Sequence, residues 1–160
     1  MNAVRSRSAL AALVPLLLVA ACTEPILEKW EDDLVSAEAR WHGAGITNYE
    51  MDVVRSCFCV PAQTRPVTVT VRGGAFVSLV YADSAAGVAD TTYFREYLTM
   101  ERIFALLHQV LDTGPDGFSA EYDSGLGYPT LVGIDPSHDL ADEEFTIQVF
   151  GLRPQGSAAR

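Results

Sequence analysis

The sequence predicts an α+β domain, with two helices packed on one face of an antiparallel sheet of about six strands in the order α-β-β-β-α-β-β-β. Three observations carry this. Apolar residues recur at steps of three and four in two stretches, which is the period of a helix with one buried face. Elsewhere they alternate with period two, which is the period of a half-buried strand. The strand-like stretches follow one another with short turns between them, as antiparallel neighbours do.

In chain order, Leu27, Trp30, Leu34, Ala37 and Trp41 form the first helical stripe, which Gly43-Ala44-Gly45 ends. Thr23-Glu24-Pro25 suits a first helical turn, where proline is tolerated and acid complements the dipole. Tyr49 to Arg55 alternates as the first strand. Val67 to Val71 alternates strictly, Gly73-Gly74 permits the positive φ of a tight turn, and Ala75 to Tyr81 returns as the hairpin partner. Residues 83 to 92 are rich in small and polar side chains and read as a solvated loop. A second helix is expected from its N-cap Thr99 to Asp112, with Ile103, Phe104, Leu107, Val110 and Leu111 buried and Gly114-Pro115 as its stop. Phe118 to Tyr122, Pro129 to Ile134 and Glu144 to Phe150 complete the second trio of strands. Each half is α-β-β-β, a pattern of structural duplication without matching residues.

The chain has 160 residues, 11 Lys plus Arg against 21 Asp plus Glu, and a formal charge of -10. That balance repels phosphate backbones, so no nucleic-acid partner is expected. The length suits one domain and a monomer.

Arg5 and Arg7 precede an apolar run from Ala9 to Ala21. The run is shorter than the ~20 residues of a spanning helix and has the layout of a secretory signal peptide. Leu18-Val19-Ala20-Ala21-Cys22 resembles the lipobox of bacterial lipoproteins, which implies cleavage before Cys22 and a diacylglycerol on its thiol. The expected division is a removed signal at 1–21, a lipidated short tether at 22–25, one α+β domain at 26–152 and a flexible tail at 153–160. The partner is then the membrane, through the lipid on Cys22, and the address is the extracytoplasmic side of a bacterial envelope. Thr23, not Asp, follows the cysteine, which by the lipoprotein sorting rule implies the periplasmic face of the outer membrane in a two-membrane host. Removal of the signal takes away two arginines and no acid, so the charge moves from -10 to -12.

Trp41, Ile46 and Tyr49, then Cys57-Phe58-Cys59, the hairpin, Tyr122-Asp123, Gly127-Tyr128-Pro129-Thr130, Ile134-Asp135 and Asp142-Glu143-Glu144 occur in an order that resembles an uncharacterised family of bacterial lipoproteins defined as a domain of unknown function. The resemblance spans about Trp41 to Phe150 and implies an envelope location, with no reaction, cofactor or catalytic residue attached.

Cys57 and Cys59 are the most chemically suggestive pair. Two residues apart on a strand, their Cα atoms would lie about 6.6–6.8 Å apart, at the edge of disulfide reach, so a bridge needs a local kink. With Cys22 acylated in an oxidising compartment, they are each other's available partners, and a small structural disulfide before Pro61 is expected. The sharper alternatives are a redox-active pair, with Arg55 as the nearby cation, and a soft-metal site. His42, His108 and His138 stand at no ligand spacing, so no metal site is expected.

The stretch 135–144 holds five carboxylates in ten residues and invites a calcium reading. With Asp135 as position 1, position 6 is Leu140 and position 12 is Thr146, where a calcium loop wants Gly and Glu. Asp112 to Asp123 places Gly117 correctly but Gly114 at a ligand position. Both read as charged, solvated turns. No catalytic or cofactor-binding residue emerges: Ser137 lies in no nucleophile elbow, His108 borders a buried stripe, and Gly125-Leu126-Gly127 lacks the third glycine of a phosphate cradle. Two functions are therefore expected in order: a membrane-tethered, non-catalytic binding or structural module for an envelope protein partner, or a thiol-disulfide or metal-handling lipoprotein centred on Cys57 and Cys59.

Overall fold

The computed structural model describes residues 24–83, 87 and 89–156. The elements run α1 (Glu24–Ala44), β1 (Tyr49–Cys57), α2 (Pro61–Thr64), β2 (Val67–Arg72), β3 (Ala75–Tyr81), two 3₁₀ turns (Thr91–Tyr93 and Arg95–Tyr97), α3 (Met100–Thr113), β4 (Gly117–Tyr122), β5 (Pro129–Asp135) and β6 (Phe145–Pro154). The class is α+β, with one six-stranded antiparallel sheet in the order β3-β2-β1-β6-β5-β4. Each trio of strands is a meander, and the first strand of one pairs with the last strand of the other. The chain thereby closes two local hairpin systems into one sheet with a single long-range pairing, β1 with β6.

Strand alternation sets the core. Tyr49, Met51 and Val53 of β1, Val67, Val69 and Val71 of β2, and Ile147 and Val149 of β6 are buried, while their neighbours in sequence are not. Leu34, Ala37 and Trp41 of α1 and Ile103, Phe104, Leu107 and Leu111 of α3 join the same cluster. Leu27 and Trp30 pack at its margin. Burying each large side chain contributes about 1.5–3 kcal/mol, so this shared cluster is the main source of stability. Thr99 caps α3 by accepting from Arg102 N at 3.2 Å, and Gly114 ends it at φ 70°.

Four expectations need correction. The order is richer than two α-β-β-β repeats, because Pro61, at the first position of α2, starts a helical turn between β1 and β2. The stretch 83–92, expected as a solvated loop, ends in the first of two 3₁₀ turns, Thr91–Tyr93 and Arg95–Tyr97, and Phe94 and Tyr97 beyond it are buried. Asp90 nucleates the first of these turns by accepting from Thr92 N at 2.9 Å. The stretch 22–25, expected as tether, already contains the first two residues of α1, Glu24 and Pro25. Finally, β6 runs to Pro154, past Phe150 and into the segment expected as tail. The alternation breaks at Gly151, but the break is a bulge: Asp52 pairs Phe150 and Glu50 pairs Arg153, so Gly151 and Leu152 together oppose Met51. Gly151 has φ 60°, and a Cβ there would meet Asp52 Oδ2 at 2.6 Å.

Candidate functional site

β1 carries its alternation to Cys57, two residues beyond Arg55, so both side chains continue the core-facing series of Tyr49, Met51 and Val53. The Arg55 guanidinium lies over the Phe145 ring at 4.5 Å, and Phe145 is the cross-strand partner of Cys57. Its Nε is buried with no hydrogen-bond partner among the described residues.

The chain kinks where β1 ends. Cys59 N donates to Cys57 O at 2.9 Å, a three-residue turn that shortens the Cα to Cα distance to 5.3 Å. The two Sγ atoms stand at bonding distance, 1.98 Å. The turn supplies the kink that an extended strand lacks. It also turns Phe58 outward: at 83% exposure it is far more open than any aromatic side chain with a structural role here, and Val60 beside it is 53% exposed. Pro61 and α2 follow at once, so the tip is held from both sides.

Next to this tip, on the sheet face turned away from the core, lies a groove of about 480 Å³. Its floor is a cross-strand row of small residues. Ser56 pairs Thr146, Thr146 pairs Gly133 and Gly133 pairs Ser119. A Cβ at Gly133 would meet Ser119 Oγ at 2.8 Å, so glycine there keeps the floor low. Phe58 walls one side, and the carboxylates of Asp135 and Glu144 stand among the lining residues. The sequence reading missed this row. Its signal was present as Gly, Ser and Thr at outward strand positions, but only the register brings them side by side.

In the acidic loop following β5, Asp135 is tied to a loop neighbour and two backbone amides are held locally. Asp135 Oδ2 holds His138 Nδ1 at 2.7 Å, Asp116 Oδ2 accepts from His138 N at 2.8 Å, and Ser137 Oγ accepts from Asp139 N at 3.3 Å. Among the described residues no three His, Cys, Asp or Glu side chains converge as metal ligands. Asp123 Oδ1 accepts from Gly125 N at 3.0 Å and Leu126 N at 2.6 Å, an Asx turn that closes the β4–β5 hairpin. His108 Nε2 meets Glu38 Oε2 at 2.8 Å and ties α3 to α1, while His42 is exposed in the last turn of α1. Trp41 Nε1 donates to Glu101 Oε1 at 3.2 Å and its ring meets Tyr49 edge-on at 5.5 Å, so this tryptophan anchors the helices. Burial pushes the phenols of Tyr97 and Tyr122 up to about 12 and raises that of Tyr49 too, which removes all three as bases near neutral pH.

A family model matches residues 33–154, and its description is a family of unknown function, DUF6174. The chain belongs to this family. The match begins inside α1 and ends on the last residue of β6, so the DUF6174 region takes in the whole sheet, the disulfide tip and the groove. No curated protein and no solved structure matches the chain. Cys22, expected to carry lipid, lies outside the described residues. Among those described, no helix is long and apolar enough to cross a membrane.

Proposed function

We propose that this DUF6174 chain is a lipid-anchored protein of the bacterial cell envelope, and that its domain binds an envelope protein and catalyses no reaction. The anchor reading is supported by Arg5 and Arg7, the apolar run and the lipobox-like Leu18 to Cys22. In a two-membrane host, Thr23 after the cysteine favours the periplasmic face of the outer membrane. In this reading α1 and α3 cover the core side of the six-stranded sheet and the opposite face is open for contact. The single observation that carries the binding reading is the groove floored by Ser56, Thr146, Gly133 and Ser119 and walled by Phe58. Small residues in register give a flat, low floor, and the Phe58 ring, carried on a turn closed by the Cys57–Cys59 bond, offers apolar contact area beside it.

Two measurements test this reading. The whole chain expressed in a bacterium fractionates with membranes and gains the mass of acyl chains, and Cys22→Ser abolishes both; an unmodified Cys22 refutes the anchor. Photo-crosslinking from position 119 in intact envelopes gives a defined adduct that disappears when Ser56→Tyr fills the groove without lowering Tm. An adduct unchanged by that substitution removes the groove from the account.

A thiol-disulfide or metal-handling role for Cys57 and Cys59 is the second reading, and one observation favours its redox half: the Arg55 cation sits on Phe145, directly across from Cys57, where it would stabilise a thiolate. Equilibration in glutathione buffers decides it. A bond that stays oxidised to below about -300 mV is structural.

A further inference from the structure

We propose that the disulfide-held tip, Phe58 with Val60, is a membrane contact that seats the domain on the bilayer beside its lipid anchor. The inference rests on the lipid-anchor reading of Cys22 and adds to it a definite orientation and a second point of attachment.

The orientation follows from four contacts. At one end of the molecule, Trp41 in the last turns of α1 meets Tyr49 at the start of β1. At the other end, Cys57 pairs Phe145, Phe145 pairs Ile134 and Ile134 pairs Phe118. The Phe118 ring lies 5.4 Å from that of Trp30, in the second turn of α1. α1 and β1 therefore run in opposite directions, and the amino-terminal turns of α1 lie at the same end as the disulfide. Three strand spacings separate β1 from β4, which is about 15 Å across the sheet.

An acylated Cys22 is tied closely to that end. Thr23 alone stands between it and Glu24, the first residue of α1, and two peptide units reach about 7 Å at most. Such a tether leaves the domain no room to stand off, so whatever projects from this end meets the lipid surface. Four apolar side chains project there: Ile26 is 56% exposed, Phe58 83%, Val60 53% and Leu140, in the loop between β5 and β6, 54%. A lone exposed hydrophobic residue is unremarkable, but four spread across one end, the anchored one, suit a broad apolar surface such as a bilayer. Aromatic rings favour the boundary between headgroups and acyl chains, and the closed Cys57–Cys59 turn presents Phe58 with little conformational freedom left to lose. The same end carries Asp139, Asp142 and Glu143, which repel anionic headgroups. The contact is therefore with zwitterionic lipid.

The test uses the full acylated protein in phosphatidylcholine vesicles, with and without brominated acyl chains. Phe58→Trp adds a fluorophore on an exposed side chain, against the wild-type background of Trp30 and Trp41. Insertion at the headgroup boundary predicts that brominated lipid cuts the added emission about twofold while wild-type emission changes little. A second readout needs no new side chain: amide exchange over residues 56–62 slows several-fold in the wild type on vesicles relative to Cys22→Ser protein in solution. Replacing half the lipid with phosphatidylglycerol at low salt weakens both effects, and salt restores them. Protein that is acylated and vesicle-bound, yet unquenched and unprotected at the tip, overturns the membrane contact and leaves the anchor standing. Protein whose Cys22 is unmodified, and which does not sediment with vesicles, overturns both.

Discussion

The guanidinium of Arg153 lies bidentate on the carboxylate of Asp52, with Nη1 to Oδ2 at 2.7 Å and Nη2 to Oδ1 at 3.0 Å. The two residues are 101 positions apart, and the Gly151 bulge is what swings one over the other. Thr68 Oγ1 donates to the same carboxylate at 2.7 Å, so Asp52 links β2, β1 and β6 on the sheet face turned away from the core.

That linkage gives the acid side of the stability profile. The Arg153 hydrogen bonds hold the Asp52 carboxyl below the usual carboxylate range, against a smaller opposing push from burial, with Thr68 adding to the lowering. A depressed value in the folded state means that the stabilisation is complete above the unfolded pKa near ~4 and fades as pH falls through the folded value. Arg153 is 43% exposed, so water screens the pair and its contribution is about 1 kcal/mol or less. Asp52→Asn should lower Tm slightly at pH 7 and flatten the loss below pH ~4; equal acid sensitivity in both proteins would clear Asp52 of this role.

The alkaline side has a different origin. Burial raises the phenols of Tyr97 and Tyr122 to about 12, and that of Tyr49 in the same direction. Raised values mean that stability is flat below the unfolded pKa near ~10 and falls as pH rises through the folded values, when the unfolded chain ionises first. Tyr122 is also the one to remove, because its hydroxyl is buried with no partner among the described residues. Tyr122→Phe deletes an unsatisfied group and keeps the ring, so it should be neutral or stabilising by up to about 1 kcal/mol. Denaturant melts at pH 7 and 11, with tyrosinate absorbance followed alongside, measure both effects. A loss of 2 kcal/mol or more at pH 7 would reveal a partner for that hydroxyl.

Gly127 fixes how the β4–β5 hairpin meets α1. It stands at φ 83°, and a Cβ would lie 2.1 Å from the Ala37 carbonyl oxygen and 2.8 Å from Arg40 Cβ. The first neighbour is backbone and cannot move aside, and the conformation itself disfavours an L side chain. Gly127→Ala should therefore destabilise by about 2–4 kcal/mol, whereas Gly125→Ala, whose Cβ would meet only Asp123 Oδ1 at 3.6 Å, should change little. Urea midpoints of the two variants compare them directly; equal midpoints would mean that the hairpin shifts freely on α1.

These residues also mark the limits of reading the chain as a string. The 67–81 hairpin was legible because strict alternation and Gly73-Gly74 are local signals, and the helix at 100–113 was legible from Thr99, its stripe and Gly114. The last four residues of β6 were not, because Gly151 breaks alternation in the same way whether it ends a strand or bulges it; only pairing with β1 decides. Phe94 and Tyr97 carry no periodic signal as core residues, since two successive 3₁₀ turns have neither the period of a helix nor that of a strand. The cysteine pair was visible and its kink foreseen, yet the groove beside it was hidden. A floor built from four strands is a property of register, and no window of sequence contains it.

The disulfide itself should matter more for the tip than for the fold. A loop this short removes little entropy from the unfolded chain, about 1–2 kcal/mol at most. Cys57 sits at the end of β1 and is outside the buried core, so the paired Ser variant exposes no large cavity. Replacing both cysteines with Ser should lower Tm by only a few degrees and leave the far-ultraviolet spectrum unchanged. The three-residue turn, however, has one backbone hydrogen bond, Cys59 N to Cys57 O, left to hold it. Phe58 should then sample many positions, which amide exchange over 56–62 would register as a gain of several-fold in the free protein. A tip that exchanges no faster in the Ser variant would show that Pro61 and α2 hold Phe58 in place unaided. A drop in stability beyond about 4 kcal/mol would place the bond in the core, against its position at the strand end.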